Sequence, residues 1–325
     1  MLRTTTVGNY PKLPSKKGDV NIRRLFHRYD KKEITTEELE SAFKQVTARV
    51  VGEQMAAGVD LPTDGQIRWD DIVTPFAAGA EGIEINGLIR WFDNNVYYRK
   101  PVIVSEIRHK RAVAAKEYKL AMAIAGKPIK AVLPAPFSFS RLSENRHYKS
   151  EDNLIADLAK LLHEEAKALV EAGATHIQLD EPCLPFEPDQ AEFAAEALNE
   201  AVKGLAATFW VCFYFGNLEK IATRLKAFNV GVIAADCVSH PENVDYLVTS
   251  AQGKNACFGV IEARNIKLEK MEVLQKTYRK IAAAYPDAYI SPSCGLEFLP
   301  HASALEKVNL LGESVKSFNG RQAHA

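Results

Sequence analysis

The chain lacks a charge bias: its 325 residues carry 41 Lys+Arg and 41 Asp+Glu. That balance removes any global attraction for nucleic acid or an anionic membrane surface. It also lacks an apolar run near the roughly 18–20 residues of a spanning helix, so no transmembrane segment is expected. Cysteine is scarce and odd in number, five in all, with no close pairs. With no secretory signal at the N-terminus, reduced thiols and a cytoplasmic setting are expected rather than a disulfide framework. Neither CxxC nor HExxH spacing occurs, so no short motif announces zinc. No GxGxxG turn supports a dinucleotide site. No composition break or low-complexity linker divides the chain.

What is present is ordinary in bulk, 47% hydrophobic and 25% charged, enough for a large core. From about Lys130 the pattern repeats: a short apolar run, a turn, an amphipathic stretch. The runs are "KAVLPAP" (130–136), "HIQLDEP" (176–182), "TFWVCF" (208–213), "GVIAADC" (231–237), "ACFGVIEAR" (256–264) and "AYISPSCG" (288–295). Between the first two, Leu154, Leu158, Leu161, Leu162, Ala166 and Leu169 fall at helical spacing, with Asp152 or Asn153 as cap and Gly173 as stop. Strand, helix, strand at this interval predicts βαβ units and a parallel sheet. The first third is less regular. A helix is predicted over 34–60, and "EGIEINGLIRWFDNNVYYRKPVI" reads as a hairpin or lid within 75–110. The expected fold is α/β, one (β/α)8 TIM barrel over 1–325 with an N-terminal extension and that insertion. An open doubly wound sheet is the rival.

Almost every run ends in a chemically capable side chain: Asp180 and Glu181, Cys212, Asp236 and Cys237 with His240 beyond, Glu262 and Arg264, Cys294. In a parallel barrel these ends converge on one face, where catalysis sits. Thiols and carboxylates converging suggest zinc. The plainer reading stands beside it. A cysteine inside an apolar strand is a small hydrophobe, strand-end acids cap helices, and Glu262 can pair with Arg264.

Three stretches carry a resemblance: "LRTTTVGNYPKLP", "IQLDEPCLPFEP" and "ISPSCGLEFLP". Together and in this order they resemble the cobalamin-independent methionine synthases, over roughly Thr4 to Lys316. The match is to the catalytic barrel as found in short core relatives. The resemblance implies a zinc-dependent thiol methyltransferase of methionine biosynthesis. Zinc holds a small-molecule thiol, homocysteine or a relative, as the thiolate that attacks a methyl group. A thiol near pKa 8.5 is mostly protonated at neutral pH, which is why a metal helps.

Carried over position by position, the family's zinc ligands become Cys212, Asp236 and Cys294, while Trp210 stands where its histidine would be. Cys237 or His240 can be imagined as a replacement, or substrate sulfur as the fourth donor. The family's acceptor-binding groups map to Gly8, Asn9, Gln66 and Asp180, with Gln66 neutral where a glutamate is usual. Asp180 and Glu262 are the catalytic candidates. Missing folate-handling features imply a methyl-corrinoid carried by a partner protein as donor. Two other readings remain: a zinc enzyme adding a thiol such as coenzyme M to an epoxide, and a barrel that binds a methylated cofactor without catalysis.

Overall fold

The computed structural model describes residues 1–12, 19–94, 96–251 and 253–322. Strands form where short apolar runs are bounded by turns: β1 (Arg3–Thr4), β2 (Ala80–Arg90), β3 (Tyr97–His109), β4 (Lys130–Pro134), β5 (Glu144–Asn145), β6 (His176–Asp180), β7 (Thr208–Phe213), β8 (Val232–Asp236), β9 (Asn255–Ile261) and β10 (Tyr289–Pro292). Seven of them make one parallel sheet in the order β1-β10-β9-β8-β7-β6-β4. The residues of β4, β8 and β10 are all buried, as expected for strands covered on both faces.

The ring closes through a short eighth stave at 61–63. Thr5 bridges Leu61 and Thr63 bridges Lys130, both in parallel sense. The Leu61 amide donates to the Thr4 carbonyl at 3.0 Å, and the Lys130 amide to the Pro62 carbonyl at 2.8 Å. The segment read as an N-terminal extension therefore supplies the first two staves. The polar run Thr4–Thr6 hid the first from a search for apolar runs, and the three-residue length of the second hid it too.

The helices are α1 (Ile22–Asp30), α2 (Thr36–Ala56), α3 (Thr74–Ala78), α4 (Ala114–Ala125), α5 (Pro136–Arg141), α6 (Glu151–Glu171), α7 (Ala191–Val202), α8 (Asn243–Ser250), α9 (Met271–Ala284) and α10 (His301–Gln322). After the eight staves in chain order come α2, α4, α6, α7, a 3-10 run at Glu219–Ala227, α8, α9 and α10. That is the (β/α)8 pattern. The helix predicted over 34–60 is α2. It starts at a reciprocal cap, Glu38 amide to Thr35 Oγ1 at 3.2 Å and Thr35 amide to Glu38 Oε2 at 2.7 Å. It is stopped ahead of Gly58, whose φ of 79° a side chain would resist. In α6 the N-cap is Ser150, so Asp152 and Asn153 lie inside the first turn rather than at the cap.

The predicted hairpin is β2 and β3, antiparallel, with β5 added alongside β3. Its turn is pinned by the Trp91 amide on the Val96 carbonyl at 2.8 Å. From there Phe92 reaches the rings of Phe186 and Phe215, on the loops after β6 and β7. The hairpin thus lies across the barrel mouth. No described helix is long and apolar enough to cross a membrane.

Candidate functional site

The loops at the C-terminal strand ends line a partly open cavity. Its polar wall comes from Asn9, Gln66, Asp180, Tyr214, Cys294 and Glu297, and its apolar wall includes Trp91, Tyr98, Phe215 and Phe298. Asn9 follows the first stave and Gln66 the second. Gly8 fits against Gln66 because it has no side chain: a Cβ there would meet Gln66 Nε2 at 3.2 Å. Of the predicted acceptor-binding residues, Asn9, Gln66 and Asp180 line the cavity and Gly8 backs it.

Asp180 ends β6 and is fixed from both sides. Gln178 Nε2 donates to its Oδ1 at 2.6 Å and also to the Val7 carbonyl at 2.9 Å. The Tyr214 hydroxyl donates to its Oδ2 at 3.1 Å. Burial pushes the Asp180 carboxyl up to about 7, against the lowering effect of those two bonds and the Lys130 charge. Glu297 is also pushed up by burial, to about 7. Next to Asp180, Glu181 points elsewhere: it accepts from the Ser138 hydroxyl, and burial lifts it to about 8.

The three expected metal ligands are all buried. Register sets Cys212 opposite Asp180 and Ala234. Burial, then the Asp180 charge, raises its thiol well above the ordinary range. Cys294 is raised first by burial, then by Glu297 and Asp236. The Asp236 charge raises both thiols. Its own Oδ1, however, accepts the amides of Val238 at 2.9 Å and Ser239 at 3.0 Å, shaping the turn after β8.

Trp210 fills the family histidine's place with a fully buried indole. Its Nε1 donates to His176 Nδ1 at 3.2 Å, and its ring packs on Tyr289 with Lys130 Nζ 4.6 Å from the centroid. The two imagined substitutes are engaged elsewhere. The Cys237 thiol donates to the Ala235 carbonyl, and His240 faces Glu242 at 3.5 Å. Among the described residues no group of three or more His, Cys, Asp or Glu could hold a metal ion. Two thiols and a carboxylate are zinc's donor chemistry. As placed, they do not fit one ion.

Glu262 lies outside the cavity wall. Its carboxylate accepts the Arg264 amide at 2.8 Å, closing its own turn. The Arg264 guanidinium instead donates to Ser239 Oγ at 2.7 Å and lies 5.1 Å from the Phe215 ring centroid. Sequence reasoning passed over Tyr214 and Glu297. Glu297 stands three residues after Cys294 in "SCGLE", and an acid beside a glycine turn at a strand end was the available signal. Tyr214 continues the alternation of Trp210 and Cys212 beyond the end of β7.

Residues 2–316 match the family model of the cobalamin-independent synthase catalytic domain. A methionine synthase of Saccharolobus solfataricus is 31% identical over 320 residues, 97% of this chain and 94% of that protein. The methionine synthase of Sulfolobus acidocaldarius is 30% identical over 318 residues, 95% and 89% of the two chains. Among solved structures, a B12-independent methionine synthase from Shewanella sp. W3-18-1, in complex with selenomethionine, superposes with a TM-score of 0.85 at 24% identity, covering 100% of this chain and 99% of that one. The cobalamin-independent description gives no support to a corrinoid-carrying partner.

Proposed function

This chain belongs to the cobalamin-independent synthase catalytic-domain family and is a methyltransferase, and on that footing we propose that its acceptor is homocysteine or a close amino-acid thiol. The observation that supports this acceptor is the mixed cavity. A fixed carboxylate, Asp180, and two amides, Asn9 and Gln66, stand beside an aromatic wall. That combination suits a molecule with a charged amino-acid end and an apolar sulfur-bearing end.

In this reading Asp180 binds the acceptor's polar end. Tyr214 and Gln178 hold its two oxygens in place, so little ordering is left for the moment of binding. The hairpin residue Trp91 covers the mouth and keeps water from the sulfur. The sulfur–methyl bond forms as the donor's bond to methyl breaks, and the thiol proton takes the methyl group's place on the donor, so atoms and charge balance. With a corrinoid unsupported, a methylated folate, the donor usual in this family, takes its place in the proposal. Zinc is the family's general cofactor, and Cys212, Asp236 and Cys294 remain its candidate donors. No step is assigned to it, because these residues do not gather around one point. The whole chain is read as one catalytic unit.

The deciding experiment is methyl transfer measured with an acceptor panel, homocysteine against 2-mercaptoethanesulfonate, and a donor panel, methyltetrahydrofolate against methylcobalamin. Turnover of homocysteine with the folate is expected. Turnover only with the sulfonate thiol would remove homocysteine as the acceptor. Metal analysis accompanies it. Less than one zinc per chain is expected, and a full equivalent that Cys294→Ser removes would restore the family's donor set.

A further inference from the structure

We propose that Glu297 receives the ammonium of the bound amino acid and that the Gln66 side-chain amide donates to its carboxylate, so that the cavity reads a zwitterion between its last and second staves. This rests on the acceptor class proposed above and names the residues that select it.

The cavity wall carries four carboxylates, Asp70, Asp71, Asp180 and Glu297, and neither lysine nor arginine. Such a wall calls for a cation. Three of the four are accounted for. Asp71 accepts the amides of Val73 at 2.8 Å and Thr74 at 2.6 Å together with the Thr74 hydroxyl. Asp180 is held by Gln178 and Tyr214. Asp70 is exposed to solvent. Glu297 differs: its Oε2 is buried with no hydrogen-bond partner. Gly295 lets it lie there, since any side chain at that position would collide with the Glu297 carboxylate.

Two more polar atoms of the same wall are buried and unpartnered, Asn9 Oδ1 and Gln66 Nε2. Gln66 is only 3% exposed. Buried polar groups without partners are rare and costly, and they mark places where something polar belongs. The set is two acceptors, Glu297 Oε2 and Asn9 Oδ1, and one donor, Gln66 Nε2. An ammonium needs acceptors and a carboxylate needs a donor, so one α-amino acid answers all three. Gln66 cannot supply a negative charge; Glu297 can. Lys12 also faces Glu297, together with the Asp64, Asp70 and Asp71 charges, but it is not part of the cavity wall.

Calorimetric titration tests this with methionine, its des-amino analogue 4-(methylthio)butanoate and its decarboxylated analogue 3-(methylthio)propylamine. Wild-type protein is expected to bind methionine at least about tenfold more tightly than either analogue, the scale of one charge-assisted hydrogen bond. Glu297→Gln is expected to cut the preference over the des-amino analogue several-fold, with Asp180 still in place, and Gln66→Glu added to it to restore much of that preference. Gln66→Met is expected to erase only the preference over the amine, and it carries the test should Glu297→Gln fail to fold by circular dichroism. A folded Glu297→Gln that keeps the full preference overturns the inference, as does a wild-type protein without one. Glu297-dependent methionine binding with no methyl transfer to homocysteine would remove the proposed function and leave this inference standing. Methyl transfer whose KM for homocysteine ignores Glu297→Gln would do the reverse.

Discussion

Asp180 and Trp210 mark what single side chains decide. Asp180 is held by two side-chain donors, and its charge is what an acceptor's polar end would meet. Asp180→Asn keeps the shape and removes the charge. The expected loss in kcat/KM for the acceptor is about 10–100-fold, the equivalent of about 1.5–3 kcal/mol for a hydrogen bond to a charged group. Tyr214→Phe deletes one of its two donors and should cost less. Steady-state kinetics with varied homocysteine checks both. Trp210 is the larger departure. Its indole occupies a closed space among His176, Tyr289 and Lys130, so Trp210→His opens a void. The cost is expected to approach the roughly 3–5 kcal/mol of emptying a buried tryptophan site. If the family's donor set is latent here, the same substitution raises zinc per chain. Denaturant melts and metal analysis on one preparation read both effects.

Among the elements, the hairpin is the one whose job depends most on its neighbours. Its strands expose Ile85, Leu88 and Tyr97 while its turn buries Trp91 over the cavity. Trp91 is buried and packed on Phe92 and Tyr98, so Trp91→Ala should lower the melting temperature as well as weaken binding at the mouth several-fold. A large drop in melting temperature with unchanged binding would count against the lid role. The hairpin was legible in the sequence because its alternating residues and turn are local. The helices α2 and α6 were legible because their apolar spacing is local too. The first two staves were not. They are short, and their ladder partners lie 286 and 67 positions away, Tyr289 for Arg3 and Lys130 for Thr63. The cavity was half legible for the same reason. Strand-end acids and thiols could be listed from the sequence, but which of them share a wall depends on where side chains turn. Glu262 turns into its own loop, and Glu297 turns into the cavity.

For the molecule as a whole, several buried acids bind protons more tightly folded than unfolded. Burial holds Asp64 at about 6, Asp180 and Glu297 at about 7 and Glu181 at about 8. Their unfolded values lie near 4. Between those limits the folded chain carries more protons than the unfolded one, so stability falls as pH rises. The melting temperature of the free protein is therefore expected to decline from about pH 4.5 to 8, with His176 and His301, lowered by burial, working the other way below about 6.5. An amino acid that brings an ammonium to Glu297 favours the ionised form, so the stabilisation it confers should grow with pH over the same window. Thermal melts at several pH values, with and without methionine, measure both slopes. A ligand effect independent of pH would speak against an ammonium at these carboxylates.

The three-residue stave at 61–63 carries one further consequence. It joins its neighbours by a single bridge on each side; Gln66 follows it three residues on, and Asn9 follows the strand it touches. The barrel is a hoop fastened by a small clasp, and the proposed ligand would reach the clasp through Gln66. Occupancy should therefore latch the hoop, slowing deuterium uptake at the Leu61 and Lys130 amides well beyond the pocket itself.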